Sequence, residues 1–137
     1  MWHGDALSKL LEGVDENAAR MQPVAGAHSI WELVLHIAAW AEIVQARLGE
    51  HVVPAPTMEQ NFPPVPSATA RNWTAAQARL VKSYDDLARV VEGLGDSDLS
   101  RKVPGKRQTV HEMLHGVIEH GTYHGGQIAI LKRALSL

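Results

Sequence analysis

The sequence has no cysteine among its 137 residues. This absence excludes disulfide bonds, metal sites built from thiolates, and a cysteine nucleophile. Any metal site in this chain must therefore be built from histidine, carboxylate or water. The chain has eight histidines, so suitable ligands are present.

An excess of charge of one sign is also lacking. Lysine and arginine together number 13 and aspartate and glutamate 15, which gives a formal net charge of −2. No cluster of basic residues lies on a helical stretch, and such a cluster is the usual footprint of nucleic-acid binding. We therefore expect no nucleic-acid partner.

Long apolar runs are missing as well. No segment reaches the roughly 20 consecutive apolar residues that cross a membrane, and residues 1–13 do not combine a basic start with an apolar run. We expect a cytoplasmic protein with no membrane partner. With 45% hydrophobic residues, the chain is long enough for one substantial core and short for two. We predict a single domain over residues 1–137.

Apolar residues recur at helical spacing in four stretches. The predicted helices are Gly4–Met21, Ser29–Gly49, Thr69–Leu94 and Thr109–Leu135. Ser29 with Glu32, and Thr109 with Glu112, have the spacing of a capping box at a helix start. No segment alternates as a strand would, so the sequence predicts an all-α protein, a four-helix bundle.

The connection between helices two and three is long and rich in proline. The segment Glu50–Ser67 holds five of the seven prolines, and we expect it to contain no helix. A connection of this length in a compact domain is typically functional or covers another part of the fold. The second long connection, Gly95–Gln108, is polar, and one short turn is expected near Asp98.

The fourth predicted helix carries two H-x-x-x-H pairs, His111 with His115 and His120 with His124. Residues four apart lie on one face of a helix. At about 100° per residue, His120 and His124 lie at the edge of the apolar stripe and point inward. His111 and His115 lie on a polar face that indicates solvent or an interface.

A third inward histidine, His36, is predicted on the flank of helix two. Together with His120 and His124 it would make a three-histidine site, which leaves coordination positions open for water or substrate. Nitrogen ligands accept zinc, nickel, iron, cobalt or manganese, and we favour zinc or nickel. Histidines near a core are more often hydrogen-bonded than metal-bound, so spacing alone leaves a purely structural role open.

Other features have simpler interpretations. The order E-H-x-x-x-H at Glu119 differs from the H-E-x-x-H of metalloproteases, so a protease is disfavoured. The tryptophans on predicted helices indicate packing anchors, with one of them, Trp40, close enough to His36 to form a pocket wall. Glycines are unusually frequent in the fourth helix, where each costs about 1 kcal/mol relative to alanine. They indicate a closely packed neighbour or space beside a metal, and they are Gly116, Gly121, Gly125 and Gly126.

Two stretches resemble a known family. They are S-I-W-E-L-V-L-H-I-A-A-W, from Ser29 to Trp40, and L-H-G-V-I-E-H-G-T-Y-H-G-G-Q-I, from Leu114 to Ile128. They resemble the DinB/YfiT-like metal-binding four-helix proteins, and the order of helices fits over essentially the whole chain. The resemblance implies a bundle, often dimeric, in which the metal ligands are His36, His120 and His124.

The resemblance also implies a function. Characterised relatives include thiol S-transferases that use bacillithiol or mycothiol, and a mycothiol-dependent maleylpyruvate isomerase. We therefore expect a metal-dependent transferase that joins a low-molecular-weight thiol to an electrophilic small molecule, with Trp40, Tyr123 and Gln127 as candidate pocket residues. Gly121 and Gly125 stand where bulkier polar residues are common in relatives, so the resemblance does not determine the pocket shape or the substrate.

Three alternatives remain open. A hydrolase would use metal-bound water on the same three ligands. A metal-binding or stress-responsive bundle would hold the ion without catalysis. A helical interaction domain would use the histidines structurally. In each case a homodimer is expected, because His111, His115 and the glycine-rich face of the fourth helix offer a surface for a partner helix.

Overall fold

The computed structural model describes residues 6–137, and this part of the chain is helical. The helices are α1 (Leu7–Leu10), α2 (Glu16–Arg20), α3 (Ile30–Arg47), α4 (Met58–Asn61), α5 (Ala70–Glu92) and α6 (Val110–Ala134). A 3-10 turn, Asp96–Ser100, lies between α5 and α6, where one short turn was predicted. The predicted all-α bundle is confirmed. Within residues 6–137, no helix is both long and apolar enough to cross a membrane.

Helix α3 is the centre of the bundle. It packs against both α5 and α6, while α2 packs on α3 and α5, and α1 packs on α6. Most of its residues are buried because its sequence is apolar on nearly every side. The ring centroids of Trp31 and Trp73 are 5.2 Å apart in the core. Trp73 Nε1 donates a hydrogen bond to the Val14 carbonyl oxygen at 2.7 Å. Both tryptophans are therefore packing anchors, as predicted.

Both predicted capping boxes are formed. Ser29 Oγ accepts from the Glu32 amide, and the Glu32 carboxylate accepts from the Ser29 amide. Thr109 and Glu112 make the same pair of bonds at the start of α6. Each box satisfies amides that the first helical turn leaves without partners, which fixes where α3 and α6 begin.

The prediction of one continuous helix over Gly4–Met21 is wrong. The chain leaves α1 in a turn at Gly13, whose φ of +78° is a left-handed conformation that favours glycine. Asp15 then caps α2 by accepting from the amides of Asn17 and Ala18. The apolar residues keep a helical spacing across the turn because both short helices pack on the same core. The predicted start, Gly4, lies outside the described residues.

The prediction that Glu50–Ser67 contains no helix is also wrong. One helical turn, α4, forms within it, and Thr57 and Gln60 form a capping box at its start. Pro56 precedes the cap and Pro63 follows the last turn, so no proline lies inside the helix. Helix α4 packs on α3. The connection thus covers the face of α3 that carries His36.

Two glycines of α6 admit close neighbours. A Cβ added at Gly121 would lie 2.6 Å from Tyr84 Oη. A Cβ added at Gly125 would lie 3.3 Å from Leu7 Cδ2. These glycines therefore serve helix packing on the side of α6 that faces α5 and α1, rather than leaving space beside a metal.

Candidate metal centre

Three histidines converge where α3 packs against α6. One ring nitrogen from each of His36, His120 and His124 lies within 4.8 Å of the others. The Nε2 atoms of His36 and His120 are 2.9 Å apart, although the two residues are 84 positions apart in sequence. The ring centroid of His124 lies 4.7 Å from that of His36 and 4.5 Å from that of His120. The three residues therefore form one cluster.

His36 is oriented by the proline-rich connection. Its Nδ1 lies 2.6 Å from the Asn61 carbonyl oxygen, which can only accept, so Nδ1 carries the hydrogen and Nε2 keeps a free lone pair. The Phe62 ring stacks on the His36 imidazole, with the ring centroids 4.0 Å apart and an angle of 7° between the ring planes. The Asn61 side chain also accepts from Trp40 Nε1 at 2.8 Å. Two consecutive residues at the end of α4 therefore hold both His36 and its aromatic neighbour.

His124 is oriented from within its own helix. Its Nδ1 lies 2.6 Å from Gln127 Oε1, one turn further along α6. The Gln127 amide nitrogen donates to Tyr123 Oη at 3.3 Å, which is consistent with the amide oxygen facing the imidazole. His124 Nδ1 therefore donates, and Nε2 is free to bind a metal. This arrangement, with a second residue fixing the tautomer of a ligating histidine, is usual at metal sites.

The third histidine, His120, has a buried atom without a partner. Its Nδ1 makes no hydrogen bond to the described residues. Since His36 Nε2 has a lone pair, the 2.9 Å contact needs a hydrogen on His120 Nε2. A divalent ion would replace that hydrogen between the two nitrogens, which would allow Nδ1 to carry the proton instead. Two nitrogens bound to one zinc at 2.0–2.1 Å are about 3.3 Å apart in tetrahedral geometry. The His36–His120 pair is close to that separation, and the three nitrogens, which lie within 4.8 Å of one another, would hold one ion once the side chains adjust.

All three imidazoles are held neutral. Burial lowers the pKa of His120 to about 4, and its neighbours His124 and His36 add to this effect. Burial also lowers the pKa of His36 and of His124, although the Asn61 carbonyl and the Gln127 side chain oppose it. A histidine must be neutral to bind a metal. The site is therefore in the ligating protonation state at neutral pH.

The cluster opens onto a cleft of about 600 Å³. Its lining comprises the three histidines together with Trp40, Val44, Arg47, Asn61, Lys106, Gln108, Glu112, Met113, Gly116, Val117 and Tyr123. Tyr123 is 66% exposed and lies at the rim. Gln127, predicted with Trp40 and Tyr123 as a pocket residue, does not line this cleft and instead orients His124 from behind.

Sequence reasoning missed Asn61 and Phe62, and it named Gln127 only as a pocket residue, not as the support of His124. The spacing of Gln127 three residues after His124 was a usable signal for its hydrogen bond. Asn61 and Phe62 carried no signal, since their role depends on the path of the connection. The second histidine pair, His111 and His115, is exposed on α6, with ring centroids 4.5 Å apart and away from the cluster.

Comparison with known proteins places the chain in a family. No curated protein and no solved structure matches it significantly. The family model of the DinB superfamily matches residues 2–128, which is nearly the whole chain and includes all three clustered histidines. The chain belongs to the DinB superfamily.

Proposed function

We propose that this protein binds a divalent metal ion through His36, His120 and His124 and uses it to transfer a low-molecular-weight thiol to electrophilic small molecules. The observation that carries the proposal is the opening of three neutral imidazoles, two of them oriented by supporting hydrogen bonds, onto a cleft large enough for small molecules. A divalent ion bound there would favour the thiolate form of a thiol and so supply the nucleophile.

The ligand set supports a metal that takes part in chemistry. Structural zinc sites are usually closed by four protein ligands, whereas three ligands leave a position for substrate. Zinc or nickel is the proposed ion, and iron, cobalt and manganese also accept nitrogen ligands. The chain has no cysteine, so a sulfur nucleophile must arrive with a cosubstrate. The proposed setting is the cytoplasm, where thiols are kept reduced.

The surrounding residues have distinct proposed roles. Trp40, fixed by Asn61, forms an apolar wall beside His36, with its ring centroid 5.7 Å from that of His120. Tyr123 lies at the rim, where it can contact the electrophile. Gln127 is a positioning residue because it acts through His124. The chain therefore supplies orientation and an apolar wall, and the thiol supplies the nucleophilic atom.

Metal analysis is the first test. Protein purified without a histidine tag should contain about one ion per site, and His120→Ala should lose it. His115→Ala is the matched control, since His115 lies on the same helix away from the cluster. If the wild type holds no ion and His120→Ala changes neither metal uptake nor the melting temperature, the metal site is refuted.

A thiol panel is the second test. Metal-replete protein should conjugate monochlorobimane to bacillithiol, mycothiol, glutathione or coenzyme A, and chelation should abolish this activity. Failure with every thiol, with metal still bound, would favour a bundle that holds the ion without catalysis. Metal-dependent hydrolysis without any thiol would favour a hydrolase on the same ligands.

We also infer a homodimer built on the outer face of α6. Ile118 and Ile130 are 62% and 64% exposed on this helix, about 120° apart around its axis and connected by i, i+4 steps through Thr122 and Gly126. Gly126 lies between them, and nothing within 4 Å would meet a Cβ at this position. A partner helix covering this stripe would bury it. Sizing in solution tests the inference, and a monomer at micromolar concentration would contradict it.

A further inference from the structure

Arg47, the last residue of α3, is a buried cation without a counterion. Its side chain is 7% exposed and lines the same cleft as the histidines. Its buried Nε has no hydrogen-bond partner, and no described residue forms an ion pair with it. The guanidinium carbon lies 5.4 Å from the centroid of the Trp40 ring. By contrast, the surface residue Arg79 makes two hydrogen bonds to the Glu42 carboxylate.

Such a burial is unfavourable unless something compensates it. Buried charges in proteins are normally paired, because removing an ion from water costs several kcal/mol. Burial lowers the pKa of Arg47, yet a guanidinium is so strong a base that it stays charged at neutral pH. Stacking on Trp40 compensates only part of the cost. Of the three guanidinium nitrogens, only Nε is both buried and unpaired, which leaves the two terminal nitrogens to water or to an anion that enters the cleft.

The cleft does not provide this counterion itself. Glu112 is the one carboxylate in its lining, and that carboxylate already accepts from the amide of Thr109 at 2.7 Å and from its hydroxyl at 3.1 Å. Lys106 also lines the cleft and is a second cation. The cleft thus has an apolar wall, a cluster of neutral histidines, two cations and one carboxylate, Glu112, which is engaged in the cap of α6. Cations outnumber carboxylates in this lining, and Arg47 has no carboxylate partner among the described residues, which favours an anionic ligand.

We propose that Arg47 binds a carboxylate of the small molecule that occupies the cleft, and thereby determines which thiol or electrophile the site accepts. A guanidinium and a carboxylate match in shape and charge and form two parallel hydrogen bonds. The carboxylate belongs either to the thiol or to the electrophile. The identity of the ligand as a thiol or an electrophile rests on the proposed function. The binding of an anion by Arg47 does not.

The distances allow one molecule to reach both groups. The guanidinium carbon lies 5.4 Å and the His120 ring centroid 5.7 Å from the Trp40 ring, so the two groups are at most about 11 Å apart. A tripeptide-sized molecule spans about 10 Å when extended. A ligand of that size can therefore place its carboxylate at Arg47 and its sulfur at the histidines.

Two matched pairs of probes test the proposal by calorimetry on the protein as purified. Glutathione and its diethyl ester represent the thiol, and fumarate and dimethyl fumarate represent the electrophile. In at least one pair the acid should bind about 10- to 100-fold more tightly than the ester, the range expected for a charge-assisted pair. Arg47→Met should abolish this preference, and Arg79→Met, which removes a surface guanidinium, should retain it.

The outcomes show whether the carboxylate belongs to the thiol or to the electrophile. They also distinguish anion binding by Arg47 from metal-dependent thiol transfer. Loss of preference only in the glutathione pair assigns the carboxylate to the thiol, and loss only in the fumarate pair assigns it to the electrophile. If the wild type prefers neither acid, or Arg47→Met keeps the preference, the proposal is overturned. His120→Ala should keep an Arg47-dependent preference, so failure of metal-dependent thiol transfer would not be mistaken for failure of anion binding.

Melting temperature separates a binding role from a structural one. Without ligand, Arg47→Met should melt at the same temperature as the wild type or higher, since it removes an uncompensated buried charge while keeping an unbranched side chain. The acid that binds should raise the melting temperature of the wild type and not that of Arg47→Met. A fall of several degrees in the ligand-free variant would mean that Arg47 supports the fold, and would overturn the proposal.

Discussion

The two halves of the histidine cluster are held in different ways. On α6, His124 is oriented by Gln127 one turn away, so ligand and support belong to one helix. On α3, His36 is oriented by a backbone carbonyl and a stacked ring from the end of α4, 25 and 26 positions along the chain. The hydrogen bond between Gln127 and His124 can form as soon as α6 is helical, because both residues belong to it. The support of His36 requires the connection to return to α3 and pack there.

Removing a ligand from either half should have the largest effect. We expect His36→Ala and His124→Ala each to weaken metal binding by more than about 100-fold, beyond the range usual for supporting residues. Competition with a chelator measures this change, and His111→Ala on the outer face of α6 is the control. A small loss for His36→Ala alone would show that α6 binds the metal without α3.

Removing the supports should distinguish the two halves. Gln127→Leu leaves His124 Nδ1 without an acceptor, and we expect metal affinity to fall about 10-fold. Gln127→Glu retains an acceptor and should retain the affinity. Asn61→Ala keeps the backbone carbonyl that binds His36 and loses only the bond to Trp40, so we expect less than about a threefold change. Equal losses for Gln127→Leu and Asn61→Ala would contradict the different modes of support.

Acid should destabilise the metal-free protein through the cluster. Because burial lowers the pKa of His120 to about 4, the folded state binds fewer protons than the unfolded state between pH 4 and about 6.5. The free energy of unfolding should therefore fall as pH drops through this window, by on the order of 1–2 kcal/mol after screening by solvent. The lowered pKa values of His36 and His124 act in the same direction.

Denaturant unfolding at a series of pH values measures this dependence. His120→Gln should flatten it, and His115→Ala should not. Other titratable groups near the cluster are His28, whose ring stacks on the far side of Phe62, and Glu112 in the cleft lining. His28→Gln and Glu112→Gln therefore complete the set of controls. A profile unchanged by His120→Gln would refute the assignment.

The helix caps should have small effects. Thr57→Ala loosens α4 and should weaken metal binding by about two- to fivefold through His36, with little change in global unfolding. Thr109→Ala removes the cap of the long helix α6 and should cost about 1 kcal/mol of unfolding free energy. It should leave metal affinity unchanged, because His120 lies three turns further along. Calorimetry with zinc and denaturant unfolding compare the two variants.

Local patterns were sufficient for most of the fold. The capping residues Ser29 and Thr109 and the apolar spacing of α3, α5 and α6 predicted these helices within a few residues. The break at Gly13 was not apparent, because both flanking helices present apolar residues to one core. The single turn of α4 was missed because composition described the whole connection as proline-rich, although the prolines flank the turn.

For the histidine cluster too, local patterns predicted some features and missed others. The spacing of His120 and His124 and the apolar stripe of α6 predicted their inward direction, and the position of His36 on α3 predicted its flank. Their convergence is a tertiary result of the packing of α3 on α6. The roles of Asn61, Phe62 and Arg47 depend on which groups lie near them after folding, and no local pattern encodes that.

The sandwich of His28, Phe62 and His36 has a consequence for the order of the connection. The Phe62 ring lies between the two imidazoles, with its centroid 4.1 Å from that of His28 and 4.0 Å from that of His36. A metal that immobilises His36 therefore also immobilises the ring stacked on it, and through that ring the end of α4. By reciprocity, any ligand or partner that orders the connection raises the affinity of the cluster for its ion. Amide hydrogen exchange along residues 57–62 should therefore slow on metal binding.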